Sequence, residues 1–94
     1  MKKTYEIMYI VKPIEEDAFK AVVAKFDTLI TANGGKLEKT DCWGKRRLAY
    51  EIQDLNEGIY VLVTFQADTA AVKELDRVMR ITDEVLRHMI ITKD

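Results

Sequence analysis

The sequence predicts an α+β domain in which four strands and two helices follow the order β-α-β-β-α-β. Four runs are rich in β-branched and aromatic residues, as strands are. Between them, two segments repeat apolar residues at helical spacing, and no internal repeat or low-complexity segment interrupts the order. A chain of 94 residues can bury one hydrophobic core but not two. We therefore expect residues 1–94 to form a single domain.

The first half of the chain predicts a strand, a helix and an interrupted strand. Residues 4–11 are β-branched and aromatic, which favours a strand. Residues 15–32 have helical apolar spacing, with acids in the first turn where they suit the helix dipole. Asn33-Gly34-Gly35 ends this helix, because Asn and Gly tolerate the left-handed conformation of a helix C-terminus. Lys36 to Ile52 reads as extended, and the break at Trp43-Gly44 predicts a β-bulge.

The second half predicts a turn, a strand, a helix and a last strand. Asp54 to Gly58 is rich in turn-forming residues, and Ile59–Gln66 is the clearest strand pattern in the chain. Asp68 or Thr69 can cap a helix, and Val85 to Thr92 predicts the last strand. The apolar positions of that helix are Val72, Leu75, Val78 and Met79. Right-handed crossovers then place both helices on one face of a four-stranded antiparallel sheet, the ferredoxin-like split βαβ plan.

Alternation along the first and third strands separates a core face from an open face. The predicted core side chains are Tyr5, Ile7, Tyr9, Val11, Ile59, Val61, Val63 and Phe65. The opposite face carries Met8, Ile10, Tyr60 and Leu62, which form one patch if the two strands are neighbours. Such residues are either scattered surface hydrophobes or a partner surface, and the pattern alone leaves both interpretations open.

Composition argues for an ordinary globular protein of a reducing compartment. The formal net charge is −1, so the molecule as a whole does not attract nucleic acid, although acids and bases are locally clustered. Cys42 is the single cysteine, which excludes an internal disulfide, and no Cys/His cluster predicts a metal site. No apolar run predicts a membrane helix or a signal peptide. We expect a cytoplasmic protein with no cofactor and no membrane partner.

Catalytic chemistry has little support in the sequence. His88 is the only histidine and lies in the middle of a predicted strand, where a packed or surface role is the simpler interpretation. Cys42 has basic neighbours but no nearby histidine to activate it. There is no phosphate-binding loop and no dinucleotide-binding glycine pattern. We therefore expect a protein that is not an enzyme.

The segment from Trp43 to Ile52 is the most informative. If it is a strand, one face carries Leu48, Tyr50 and Ile52, which we expect to be buried and structural. Lys45, Arg47, Ala49 and Glu51 point the other way. Arg46 lies at the strand entrance, where its side chain can swing out. Adjacent guanidinium groups suit phosphate oxygens, which arginine contacts with two parallel hydrogen bonds. A solvated strand edge is the alternative.

This segment resembles the signature of the bacterial small-subunit ribosomal protein six family, approximately Trp-Gly-x-Arg-Arg-Leu-Ala-Tyr-x-Ile. The matching positions are Trp43, Gly44, Arg46, Arg47, Leu48, Ala49, Tyr50 and Ile52. A second family pattern is similar to Arg80, Asp83, Val85, Leu86, Arg87 and Met89. Two departures stand out. Glu51 occupies a position where members often have proline, and many members continue in a variable charged tail where this sequence stops at Asp94, so we expect contacts made by such a tail to be reduced.

The resemblance implies a structural constituent of the small ribosomal subunit. Members bind 16S ribosomal RNA together with small-subunit ribosomal protein eighteen, as a heterodimer, during assembly of the platform. Carried over by position, the expected RNA or partner contacts are Arg46, Arg47, Arg80 and Arg87, followed by Lys2, Lys3 and Tyr5. Met8, Ile10, Tyr60 and Leu62 then form the partner surface. The alternative is a homo-oligomeric, ligand-binding regulatory domain of the same fold, since this fold serves many functions.

Overall fold

The computed structural model describes residues 2–93. Its six elements follow the predicted order, and each begins and ends within a few residues of the expected positions. They are β1 (Lys3–Val11), α1 (Glu16–Ala32), β2 (Lys36–Ile52), β3 (Leu55–Ala67), α2 (Thr69–Arg80) and β4 (Val85–Thr92). The two extended segments predicted on either side of Trp43-Gly44 therefore belong to one strand.

The four strands form one antiparallel sheet in the order β2-β3-β1-β4. The first and third strands are thus neighbours at the centre, as predicted, and Met8 lies opposite Leu62 while Ile10 lies opposite Tyr60. Both helices cover the face that carries the odd-numbered residues of β1 and β3. The ferredoxin-like plan predicted from the sequence is confirmed.

The core lies between this face and the helices. All eight side chains that alternation assigned to the core are buried, and they pack with Phe26 and Ile30 of α1 and with Leu75 and Met79 of α2. The Tyr9 ring meets the Phe26 ring edge to face, with centroids 5.3 Å apart. Full burial of one large apolar side chain contributes roughly 1.5–3 kcal/mol, so this cluster provides the main stabilisation of the fold.

The predicted bulge in β2 is confirmed. The pairing between β2 and β3 shifts register between Cys42 and Gly44, and Gly44 has a φ angle of +84°. Glycine suits this position because side chains disfavour a positive φ. Trp43 is the extra residue of the bulge, so its side chain is aimed independently of the alternation along the strand.

The turn predicted over Asp54 to Gly58 is wrong in position. The chain reverses at Gln53 and Asp54, whose φ angles of +53° and +63° are those of a two-residue hairpin turn, and β3 begins at Leu55. The polar residues that suggested a loop are instead the first part of β3. Residues 45–58 thus form an extended hairpin end, which we call the hairpin arm.

Candidate nucleic-acid and partner interface

In the part of the chain that the structure describes, the sheet face opposite the helices carries no helix, and we call it the open face. Paired residues of antiparallel strands share a face, so the registers identify its members. Its apolar side chains are Met8, Ile10, Tyr60, Leu62, Met89 and Ile91. Met89 and Ile91 are 57% and 46% exposed. Neither was among the residues predicted for the partner surface, although the alternation of Arg87, Met89 and Ile91 in the last strand indicates a shared face.

The hairpin arm covers one end of the open face. A methyl group at Gly58 would lie 2.4 Å from Cγ2 of Ile10 and 3.5 Å from Cδ2 of Leu48, so these three residues are in close contact. Ile10 and Leu48 are only 8% and 7% exposed, although neither belongs to the core beneath the helices. The predicted burial of Leu48 is confirmed. Ile10 is thus buried under the hairpin arm, whereas Met8, Tyr60 and Leu62 are half-buried on the rest of the open face.

Tyr50 does not have the buried position expected for it. Its side chain is 59% exposed, and its hydroxyl accepts a hydrogen bond from the Arg87 guanidinium. The guanidinium carbon also lies 5.8 Å from the centroid of the Tyr50 ring. Alternation places Tyr50 on the same face as Arg46 and Leu48, but this is the open face and not the core beneath the helices, so the ring remains exposed. Ile52 itself is partly buried.

Basic and aromatic side chains meet at the β2 edge of the open face. Trp43 is 43% exposed, and its ring is nearly parallel to that of Tyr60, with an angle of 6° and centroids 6.4 Å apart. The guanidinium carbon of Arg46 lies 5.5 Å from the centroid of the Trp43 ring. Within residues 2–93, Lys45, Arg46 and Arg47 form no ion pair. Of the three, only Arg46 points to the open face, where it presents an unpaired positive charge.

The other residues expected to contact RNA or a partner lie elsewhere. Arg80 ends α2 on the helix side, 2.8 Å from the Asp76 carboxylate. Lys2 and Lys3 are exposed at the start of β1. Tyr5 is buried and stacks on Phe65, with ring centroids 5.8 Å apart, so the structure supports its predicted place in the core. Of the seven residues, only Arg46 and Arg87 lie on the open face.

His88 and Cys42, the two residues considered for catalysis, lie in different surroundings. His88 is half-buried, and its Nε2 atom lies 2.6 Å from the Asp76 carboxylate. Cys42 is free and exposed. Among the described residues, no group of three or more His, Cys, Asp or Glu side chains could hold a metal ion. In residues 2–93, no helix has the length and apolar character needed to cross a membrane.

Comparison with known proteins identifies the family. The family model described as ribosomal protein S6 matches residues 4–92. Small ribosomal subunit protein bS6 of Desulforamulus reducens is 53% identical over 90 residues, which are 95% of each chain. The chain belongs to the ribosomal protein S6 family. The bS6 protein of Clostridium acetobutylicum, another relative, is 53% identical over 89 residues and 94% of each chain.

Solved structures agree with membership of the ribosomal protein S6 family. The crystal structure of 30S ribosomal protein S6 from Thermotoga maritima matches with a TM-score of 0.93 and 30% identity, covering 99% of this chain and 89% of that one. The C-terminal domain of MgtC from Mycobacterium tuberculosis, with a TM-score of 0.68 and 14% identity, shares the fold alone.

Membership confirms the family expected from the two sequence motifs. The chain is a structural, non-enzymatic protein of the small ribosomal subunit, and its place is the ribosome in the cytoplasm. This decides against the regulatory ligand-binding domain that the fold alone had left open.

Proposed function

We propose that the chain binds 16S ribosomal RNA jointly with small-subunit ribosomal protein eighteen during assembly of the platform. The observation that carries this proposal is the open face, an apolar sheet surface with an arginine at each edge. Arg46 lies on β2 at one edge and Arg87 lies on β4 at the other. The apolar centre suits the apolar contact surface of a protein partner, and the arginines at the edges suit RNA phosphates next to that partner.

The apolar part of the open face supports a protein partner. Met89 and Ile91 are exposed beside Met8 on the neighbouring strand, where Met89 pairs directly with Met8. A shallow depression of about 250 Å³ lies there, lined by Met8, Ile10, Arg87, His88 and Met89. Interfaces of stable complexes have an apolar centre with a polar rim, and protruding side chains of one partner fill depressions of the other. The open face has these features.

The basic part supports contact with RNA. Lys45, Arg46 and Arg47 lie on the hairpin arm, where they are exposed and unpaired within the described residues. Arginine and lysine bind phosphate oxygens and release counterions from nucleic acid, which gives affinity that depends on salt. The net charge of −1 provides no general attraction, so a basic partner has to supply most of the phosphate affinity. The chain then fixes the position of that partner.

Filter retention of labelled ribosomal RNA at physiological salt tests the proposal. We expect the isolated chain to bind weakly and the heterodimer to bind tightly. Replacement of Arg46 and Arg47 by alanine should weaken RNA binding by the heterodimer and flatten its salt dependence, by roughly one unit of slope for each lost phosphate contact. The matched control replaces Lys20 and Arg77, two cations that form ion pairs within α1 and α2.

Two results would count against the proposal. Tight, specific binding by the isolated chain would remove the need for the partner. A constant salt slope with a reduced affinity for the partner would mean that Arg46 and Arg47 contact protein rather than RNA.

A further inference from the structure

The bulge in β2 places an aromatic side chain on the open face that regular pairing would not put there. Cys42 pairs with Val61, which faces the helices, and Gly44 pairs with Tyr60, which lies on the open face. Trp43 is the unpaired residue between them, and its ring lies beside that of Tyr60. Bulges re-aim side chains in this way next to functional sites. A large aromatic residue held 43% exposed by a glycine bulge calls for a functional explanation.

The Trp43 and Tyr60 rings form a platform rather than a closed stack. Atoms in van der Waals contact lie about 3.5–4.0 Å apart. The two ring centroids are separated by 6.4 Å although the planes are parallel within 6°, so neither ring covers the face of the other. A further planar group can therefore lie against them, and offset parallel contact is a favoured geometry for aromatic rings.

A positive charge lies over this platform. Arg46 lies over the Trp43 ring, with the guanidinium carbon 5.5 Å from the ring centroid, and its side chain forms no ion pair within the described residues. Lys45 and Arg47 are exposed on the same strand but point to the other face of the sheet. Proteins that hold single-stranded RNA combine aromatic rings, on which bases stack, with cations that follow the phosphate backbone. Trp43, Tyr60 and Arg46 have this combination.

We propose that Trp43 and Tyr60 form a stacking site for an unpaired nucleobase of ribosomal RNA, and that Arg46 contacts the adjoining phosphate. The proposal rests on the proposed function in RNA binding and adds base stacking to it. Charge favours RNA over a protein segment here, because Arg46 lies over the Trp43 ring and forms no ion pair within the described residues. An unpaired base is required because the face of a base is covered in a duplex.

Fluorescence of the chain reports on this site directly, because Trp43 is its only tryptophan. The full chain is titrated at low salt with a single-stranded oligoadenylate of ten nucleotides and, separately, with an RNA hairpin of the same charge. A base stacked on the indole should quench its emission, so we expect quenching by the single strand and much less by the hairpin. Equal quenching by both would overturn the proposal, and so would binding of the single strand without quenching.

RNA affinity of the heterodimer separates stacking from protein contact. Trp43→Leu should weaken RNA binding roughly tenfold without changing the salt slope, because stacking releases no counterions, whereas Trp43→Phe should recover much of the loss. Ile81→Ala is the matched control, since Ile81 is 69% exposed and lies just after α2, away from the open face. Thermal unfolding of each variant shows that the fold is intact.

The outcomes distinguish this inference from the proposed function. If the arginine variants weaken RNA binding but Trp43→Leu does not, stacking is wrong and the proposed function stands. If Trp43→Leu lowers affinity for the protein partner and leaves RNA binding unchanged, Trp43 is a protein contact. If the unmodified heterodimer does not bind ribosomal RNA, both fail.

Discussion

Arg87 and Tyr50 lie on the two opposite edge strands of the sheet, yet the Arg87 guanidinium donates a hydrogen bond to the Tyr50 hydroxyl. This contact is possible because the hairpin arm lies across the open face, where Gly58 and Leu48 pack against Ile10. The hydrogen bond joins the arm to β4 on the far side of the apolar surface. The position of the arm is therefore held by buried packing at Ile10 and by one exposed contact at Arg87.

Tyr50→Phe tests the role of this contact. The substitution removes the hydroxyl acceptor and keeps the ring next to the guanidinium. Because both side chains are exposed, we expect the free energy of unfolding to change by no more than about 0.5 kcal/mol. Amide hydrogens of the hairpin arm should exchange faster, since local opening becomes easier, while those of α1 serve as the internal control. Unchanged protection of the arm in hydrogen-exchange measurements would show that the contact does not fix it.

Gly58→Ala tests the close approach of the hairpin arm to β1. The added methyl group would lie 2.4 Å from Cγ2 of Ile10, and a β-branched side chain cannot easily move away. We expect a loss of about 1–3 kcal/mol in urea unfolding, as for other overpacked sites. In the double variant with Ile10→Ala, the loss of unfolding free energy should be smaller than the sum of the two single losses by about 0.5–3 kcal/mol. The reason is that the smaller side chain at position 10 removes the clash. Strictly additive costs would mean that the two residues do not compete for space.

Leu62→Asp tests the open face as a partner surface. Leu62 is half-buried on this face, whereas its neighbour Val63 points into the core and is 1% exposed. We expect Leu62→Asp to weaken heterodimer formation at least about tenfold in calorimetric titration and to leave the melting temperature nearly unchanged. Val63→Asp is the contrasting variant and should unfold the chain, because it buries an unpaired charge. A large drop in melting temperature for Leu62→Asp would place that residue in the core.

The free energy of unfolding should depend on pH through the partly buried carboxyl group of Asp27. Burial raises the pKa of its carboxyl group, and its Oδ1 atom is buried without a hydrogen-bond partner in the described structure. The nearby Tyr9 hydroxyl is likewise buried without a partner, and burial and the Asp27 charge raise the pKa of Tyr9 as well. A carboxyl group whose pKa is higher in the folded than in the unfolded state binds more protons when folded. Its ionisation therefore lowers stability as the pH rises above the ordinary aspartate pKa of 3.8.

Asp27→Asn removes this titration. We expect the variant to melt at a higher temperature than the unmodified chain at pH 7, where the cost of the buried charge is fully present. The difference should shrink as the pH falls from the raised pKa of the folded state to the ordinary pKa of aspartate, below which the carboxyl group is neutral in both the folded and the unfolded state. Melting curves between pH 3 and pH 7 measure it. A difference that does not vary with pH would show that the charge of Asp27 carries no cost.

The core residues could be predicted from the sequence, but the path of the hairpin arm across the open face could not. Side chains alternate strictly along β1 and β3, so reading every second residue assigned the core correctly. The bulge could also be predicted, because glycine is the residue that accepts the backbone angles of Gly44. The exposure of Tyr50 could not, since the alternation that groups it with Leu48 does not reveal that this side of β2 belongs to the open face. The contact with Arg87 joins opposite edges of the sheet, which no local pattern reveals.

The central position of β1 in the sheet affects how the chain folds during its synthesis. Tyr5 pairs with Phe65 on one side and with Thr92 on the other. During synthesis, the second of these pairings has to wait until α2 and β4 have been translated, which takes seconds at about 5–20 residues per second. For that interval the outer edge of β1 exposes unpaired backbone groups, which can pair with strands of other nascent chains. The edge of β1 is therefore protected only once β4, the last strand to be translated, has paired with it.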